Sequence, residues 1–157
     1  MEKIKTTEGD LIVREARIAI IASRFNDFIV ESLVKGALRY LRQHGAEDGN
    51  LAIFRVPGAY EMPLTVNKVA AARRFDGIIA LGAVIRGGTP HFDYVAGECV
   101  KGIAAAGQRH GIPIGNGVLT VETIEQAIER AGTKAGNKGE EAAMAVIEMI
   151  NLLRRID

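Results

Sequence analysis

Apolar positions along the chain fall into short continuous runs, separated by longer stretches in which they recur every three or four residues. The first run, Ile18-Ala19-Ile20-Ile21-Ala22, has the length and continuity of a strand buried on both faces. After it, Ile29, Val30, Leu33, Val34, Ala37, Leu38 and Leu41 make one helical stripe, with Asn26 or Asp27 placed to cap its start and Gly45 its end. Leu51 to Val56 reads as a second strand, Pro57 to Glu61 as a loop, and Met62 to Phe75 as a helix in which Pro63 fits only the first turn. A third run begins at Gly77-Ile78-Ile79-Ala80-Leu81 and stops at Arg86, ahead of a helix from about Pro90 to His110. The fourth unit is a short strand around Pro113-Ile114, a loop Gly115-Asn116-Gly117, and a short helix to Ala131 opened by a Thr123/Gln126 capping box. A last helix runs from near Asn137 to about Arg154, with Ala142, Ala143, Val146, Ile147, Ile150 and Leu153 on one stripe.

Strands alternating with helices across short loops predict a parallel sheet with right-handed crossovers and helices on both faces. The expected fold is a three-layer α/β/α sandwich with a four-stranded parallel sheet, flavodoxin-like, in a single domain over 1–157. Residues 1 to about 13 lack a helical period, and Leu11-Ile12-Val13 reads as a short extended arm of the kind that pairs with a neighbour. Ligands of such sheets bind beyond the carboxyl ends of the strands. The loops Ser23–Asn26, Pro57–Glu61, Ala83–Thr89 and Gly115–Gly117 are therefore expected to converge on one rim.

Composition narrows the partners. Lys+Arg 20 against Asp+Glu 19 gives a net charge of +1, which points to neither nucleic acid nor an anionic membrane, and leaves small molecules or copies of the same chain. Cys99 is the only cysteine, so an internal disulfide and a cysteine-rich zinc site are ruled out, and an inert packing thiol in a reducing compartment is expected. No apolar run approaches the roughly 20 residues that span a bilayer, and the first residues lack a signal-like apolar stretch, so the cytoplasm is the expected location.

The most unusual chemistry lies after the third strand. Gly87, Gly88 and Thr89 let the backbone turn with its amides exposed, and Pro90 leads into a helix whose first N–H groups have no intrahelical partner, a combination that attracts anions. His91 sits just inside that helix. The helix dipole there favours neutral imidazole and a bound anion favours imidazolium, opposing pulls that suit a proton shuttle. The glycine-rich Gly132–Gly139 stretch is not a P-loop, because Gly139 stands where a hydroxyl residue is needed and the preceding segment is helical. Gly82–Gly88 likewise lacks the dinucleotide spacing, and His44, His91 and His110 are too dispersed for a metal site. Taken singly, the other candidates have ordinary readings: Phe25 as a core aromatic, Glu61 as a helix N-terminal acid, Arg130 and Lys138 as solvated charges.

Taken together they do not. Arg24-Phe25-Asn26, Val56-Pro57-Gly58-Ala59-Tyr60-Glu61-Met62-Pro63, Ala80 to Gly97, and Gly117-Val118-Leu119-Thr120 through Glu125-Gln126-Ala127 to Gly139 closely resemble lumazine synthases over nearly the whole chain. The resemblance implies condensation of a ribitylamino-aminouracil with a hydroxy-oxobutyl phosphate, without an added cofactor or metal. It implies that Phe25 stacks on the pyrimidine and that the backbone of Ala83, Val84 and Ile85 binds its edge. Asn26, Ala59, Tyr60 and Glu61 would hold the ribityl chain. Gly88 and Thr89 would bind phosphate together with Arg130 of a neighbouring subunit, with Lys138 assisting, and His91 would move protons. Asn116 departs from the aromatic found at this place in many members; it removes part of a stacking wall and offers an amide instead.

The same resemblance implies a homo-oligomeric pentamer, and the short Ala131–Lys138 connection favours closure into a sixty-subunit icosahedral shell, with riboflavin synthase as a possible partner. Two other functions compete. An archaeal-type riboflavin synthase would have no use for a phosphate cradle, and a non-catalytic flavin-binding or shell protein would have no need of His91 and Arg130.

Overall fold

The computed structural model describes residues 3–156. Its centre is a four-stranded, all-parallel sheet in the order β2-β1-β3-β4, built from β1 (Ile18–Ser23), β2 (Leu51–Val56), β3 (Gly77–Ile85) and β4 (Ile114–Val121). β1 is buried along its full length, as its uninterrupted apolar run demands. Five helices connect and cover the strands: α1 (Asp27–Gln43), α2 (Met62–Ala71), α3 (His91–His110), α4 (Ile124–Glu129) and α5 (Lys138–Arg154). Alternate residues of the central strands feed two separate cores. Ile18, Ile20, Ile79 and Leu81 pack with Leu33, Leu41 and Ile147 of α1 and α5. Ile21, Ile78 and Ala80 pack with Met62, Val66, Cys99 and Ile103 of α2 and α3. This is the expected three-layer, flavodoxin-like sandwich.

The strand order places a topological switch between β1 and β3. One crossover leaves β1 outward to β2, and the next returns past β1 to β3, so the loops after β1 and β3 diverge and open a crevice at the carboxyl end of the sheet.

Three boundaries differ from the expectation, each for a packing reason. β4 is not a short strand followed by a Gly115–Gly117 loop; it runs through both glycines to Val121, and Asn116 pairs with Ala80 in mid-sheet. The glycines serve close helix–sheet packing: a Cβ on Gly115 would lie 2.4 Å from the Ala142 carbonyl oxygen of α5, and one on Gly117 would lie 2.4 Å from Leu81. Only three of the four loops therefore meet at the rim. α2 ends at Ala71 rather than Phe75, because Arg73 turns into the left-handed region (φ 55°) and Phe75 folds back edge-on against Phe54. The Ala131–Lys138 connection contains a small antiparallel ribbon, β5 (Ala131–Thr133) with β6 (Gly136–Asn137), turned by Gly132 and Gly136 at positive φ.

The N-terminal segment lies against its own chain. Val13 N–H donates to the His44 carbonyl (2.8 Å), and the Asn151 amide of α5 donates to the carbonyls of Asp10 (2.8 Å) and Ile12 (2.9 Å). Residues 3–17 form no strand within the described chain.

Candidate functional site

At the carboxyl end of β1, β2 and β3 a cleft of about 660 Å³ opens. Its walls hold most of the candidate residues: Phe25 and Asn26 after β1, Ala59, Tyr60 and Glu61 after β2, Ala83, Val84 and Ile85 at the end of β3, then Thr89 and His91. Gly88 lies in the exposed loop between lining residues Gly87 and Thr89. Phe25 is 71% exposed, which excludes the reading of a core aromatic and leaves a ring face free for stacking. Tyr60, 70% exposed, faces the same space.

Asn26 occupies the left-handed region (φ 63°) as the N-cap residue of α1, yet its side chain does not cap the helix. Its Nδ2 donates instead to the Ala83 carbonyl (2.9 Å), tying the loop after β1 to the end of β3 across the switch point. Such an arrangement, an uncommon backbone conformation held by a long-range bond, fixes the angle at which neighbouring Phe25 meets the cleft. Ala59–Glu61 form one 3₁₀ turn immediately before α2, with the Glu61 carboxylate placed among the lining groups.

The loop 87–90 is open. The backbone N–H groups of Gly87, Gly88 and Thr89 donate to no acceptor among the described residues, and at the far end of the loop Asp93 N–H donates to the Pro90 carbonyl (3.1 Å). A Cβ on Gly87 or Gly88 would meet nothing within 4 Å, so packing does not require either glycine; the bare backbone leaves the amides reachable. Pro90 is the N-cap residue and His91 the first residue of α3, so the imidazole stands beside those amides and the unpaired start of the helix.

Asn116, Arg130 and Lys138 are not in this cleft. They line a second one, of about 380 Å³, along the outer edge of β4 beside the start of α5, and the two clefts share no lining residue. Asn116 Oδ1 accepts from Val118 N–H (3.1 Å), which commits its oxygen and leaves the NH₂ group as its free end. Arg130, just past α4, donates from Nη1 to the Gln126 carbonyl (3.0 Å), and its own carbonyl accepts from Lys138 N–H (2.8 Å). The ribbon β5–β6 thus brings the two cations together. Lys138 is the first residue of α5, where a positive charge opposes the helix dipole; a placement unfavourable for the helix is intelligible if the charge serves an anion.

Several lining residues lay outside the sequence reading: Phe92, Val95 and Ile124 in the first cleft and Glu141 in the second. Val95 was legible in principle, one helical turn beyond His91. Ile124, 58% exposed at the first position of α4, carries a weaker signal, an apolar residue where a helix start is usually polar. Cys99 lies on the buried face of α3, and burial pushes its thiol up to about 11, so it is a poor nucleophile at neutral pH, as expected of a packing thiol. Among the described residues no cluster of His, Cys, Asp and Glu is arranged to hold a metal ion, and no helix is long and apolar enough to cross a membrane.

Comparison with known proteins identifies the family. The family described as 6,7-dimethyl-8-ribityllumazine synthase matches residues 15–154. A protein of that name from Desulfovibrio desulfuricans is 56% identical over 156 residues, covering 99% of this chain and 100% of the relative. Another, from Halorhodospira halophila, is 56% identical over 155 residues, covering 98% of this chain and 99% of the relative. Matched along nearly its whole length, the chain belongs to the 6,7-dimethyl-8-ribityllumazine synthase family.

Proposed function

We propose that this protein condenses 5-amino-6-(D-ribitylamino)uracil with 3,4-dihydroxy-2-butanone 4-phosphate to give 6,7-dimethyl-8-ribityllumazine, releasing phosphate and water in the synthesis of riboflavin. The observation that carries the reading is a near full-length family match together with one cleft that juxtaposes an exposed aromatic, a loop of unpaired amides and a histidine at a helix start. Phe25 stacks on the pyrimidine, and the backbone of Ala83, Val84 and Ile85 binds its edge. Ala59, Tyr60, Glu61 and Asn26 border the ribityl group. Gly88 and Thr89 receive the phosphate on their N–H groups. The arriving pyrimidine amine attacks the ketone carbonyl, and His91 supplies and removes the protons that accompany loss of water and of phosphate. The reading assigns these steps to the protein's own groups, with no cofactor.

Arg130 and Lys138 complete the phosphate site, and Asn116 the ring pocket, from the adjacent subunit of a homo-oligomer. Two features support this: the residues that one site needs stand in two clefts of one chain, and Lys138 sits at the start of α5, where the helix dipole disfavours a cation. A pentameric ring, closing further into a sixty-subunit icosahedral shell, is our reading of the assembly, favoured by the short connection over 131–137. A phosphate-ester substrate and a single cysteine suit the cytoplasm, and riboflavin synthase, which consumes the product, is the expected partner enzyme.

The test is direct. Purified protein mixed with the two substrates is expected to generate lumazine absorbance and fluorescence, with phosphate released in equal amount. Absence of the lumazine overturns the reading.

A further inference from the structure

The loop 87–90 bears the free amides, yet almost nothing in the loop itself holds it. Its glycines make no packing contact that a Cβ would disturb, and no backbone bond among the described residues crosses it. Its ends, however, are clasped. Arg86 enters the loop with its own N–H bonded to the Val121 carbonyl at the end of β4 (2.8 Å). Its guanidinium then reaches across the loop mouth to Asp93 in the first turn of α3 (Nη2–Oδ1 3.1 Å) and to Glu122 just before α4 (Nε–Oε2 2.7 Å). The same group lies 4.4 Å from the centroid of the Phe92 ring, which lines the cleft. One side chain thereby joins the end of β3 to the elements carrying His91 and Ile124.

All three charged side chains are substantially exposed, at 39% for Arg86, 60% for Asp93 and 59% for Glu122, so these pairs contribute little to folding stability. Their geometry is the informative part. A planar guanidinium satisfying two carboxylates while stacked on a ring has few alternatives, so it selects one arrangement of an otherwise unanchored loop.

We propose that Arg86 is a positioning residue for the phosphate end of the site, clasping the loop 87–90 so that its amides and His91 address the cleft together. The proposal rests on the reading of that loop as the phosphate cradle. Arg86 touches neither reactant; it acts through the loop, Asp93 and Phe92.

Steady-state kinetics with each substrate varied in turn, and inhibition by inorganic phosphate, test it. In Arg86→Ala, KM for the phosphate substrate and the inhibition constant for phosphate are expected to rise about three- to thirtyfold with a fall in kcat, because small misplacements of binding groups are amplified in the transition state. KM for the pyrimidine should stay within about twofold, since the walls around Phe25 are untouched. Arg86→Lys should recover only part of the loss, because an ammonium keeps the charge and loses the planar, two-pronged bond and the stacking. Asp93→Asn combined with Arg86→Ala should cost less than the sum of the two changes. Unchanged kinetics in Arg86→Ala, equal weakening of both substrates, or full recovery by Arg86→Lys would each overturn the clasp. Product formation by the wild-type protein separates the two levels: a wild type that makes no lumazine fells the functional reading and the clasp with it, whereas an active wild type matched by Arg86→Ala fells the clasp alone.

Discussion

At the scale of single residues the proposed chemistry concentrates on His91. It stands at the first position of α3, beside amides that donate to no acceptor among the described residues, and on the proposed reading it is the group that moves protons. Replacing it with alanine is expected to lower kcat by about 10²–10⁴-fold while leaving binding of the pyrimidine nearly intact, as for loss of a general acid or base. That corresponds to about 3–5 kcal/mol of barrier. Single-turnover formation of the lumazine measures it, with the uncatalysed condensation subtracted; turnover near wild type would remove His91 from the proton pathway. The open loop at Gly88 and Thr89 and the helix start at His91 were readable from sequence because a turn of small residues leads into a helix start there. Phe25 was not readable alone, since an isolated phenylalanine is usually buried, and only its 71% exposure decides the matter. Asn26 was read as a cap or a ribityl contact; its bond to the Ala83 carbonyl is a long-range contact that no local pattern announces.

At the scale of elements, periodicity located β1, α1, β3, α3 and α5 almost to the residue, because their apolar runs and stripes answer directly to burial. It failed at β4, where the signal was ambiguous: Gly-Asn-Gly marks a turn as readily as a strand pressed against a helix, and the atoms that decide, Ala142 and Leu81, are remote in sequence. At 132–139 the rejection of a phosphate loop rested on Gly139, and packing explains that residue: α5 starts so close to α1 that a Cβ would lie 2.1 Å from the Leu33 carbonyl oxygen. Asn137 caps that start through Gly139 N–H (2.8 Å) and Glu140 N–H (3.1 Å) and donates to the Ser32 carbonyl (3.0 Å). The opposite end of α5 holds the N-terminal segment by charge. Asp10 accepts from Arg14 (2.9 and 3.0 Å), from Arg155 (2.8 Å) and from Asn151 (3.0 Å), and the Arg14 hydrogen bonds, first among these causes, lower its carboxyl from the ordinary 3.8 to about 2. A carboxyl whose folded pKa is depressed contributes stability that is complete above about pH 4 and is lost as pH falls from there through about 2. Hydrogen exchange of residues 3–13 should therefore be constant from neutral pH to about 4, after correction for intrinsic rates, and should accelerate only in that acid window. Asp10→Asn should accelerate it already at neutral pH. Protection that is independent of pH down to 2, or unaffected by the substitution, would show that backbone bonds alone hold the segment.

At the scale of the whole molecule, the question is whether one chain owns a complete site. The cleft at the switch point carries Phe25, the end of β3 and His91, and the β4 edge carries Arg130, Lys138 and the Asn116 amide; the sheet and the start of α5 separate them. Sequence order could not reveal this division, because Arg130 and Lys138 follow His91 as naturally in a single-chain site as in a shared one. A shared site in a head-to-tail ring makes a definite prediction for two crippled variants. In a ring of His91→Ala subunits no site has its histidine, and in a ring of Arg130→Ala subunits no site has its arginine. Dissociated, mixed in equal amounts and reassembled, the two should form interfaces at random. A site is intact only where an Arg130→Ala subunit, contributing His91, is followed by a His91→Ala subunit, contributing Arg130. That combination arises at about a quarter of heterologous interfaces whatever the size of the ring. Activity should therefore return to about a quarter of wild type, saturating for the phosphate substrate at wild-type concentrations, because each restored site is whole rather than partly repaired. Were both residues to act within one chain, every site in the mixture would still lack one of them, and no activity would return however completely the subunits exchanged. Exchange itself is scored independently by mass spectrometry of differently labelled variants. Light scattering of the same samples reads the assembly: particles much larger than a pentamer accord with a closed shell, and a population confined to free pentamers rules the shell out while leaving the shared site to stand on the recovered activity.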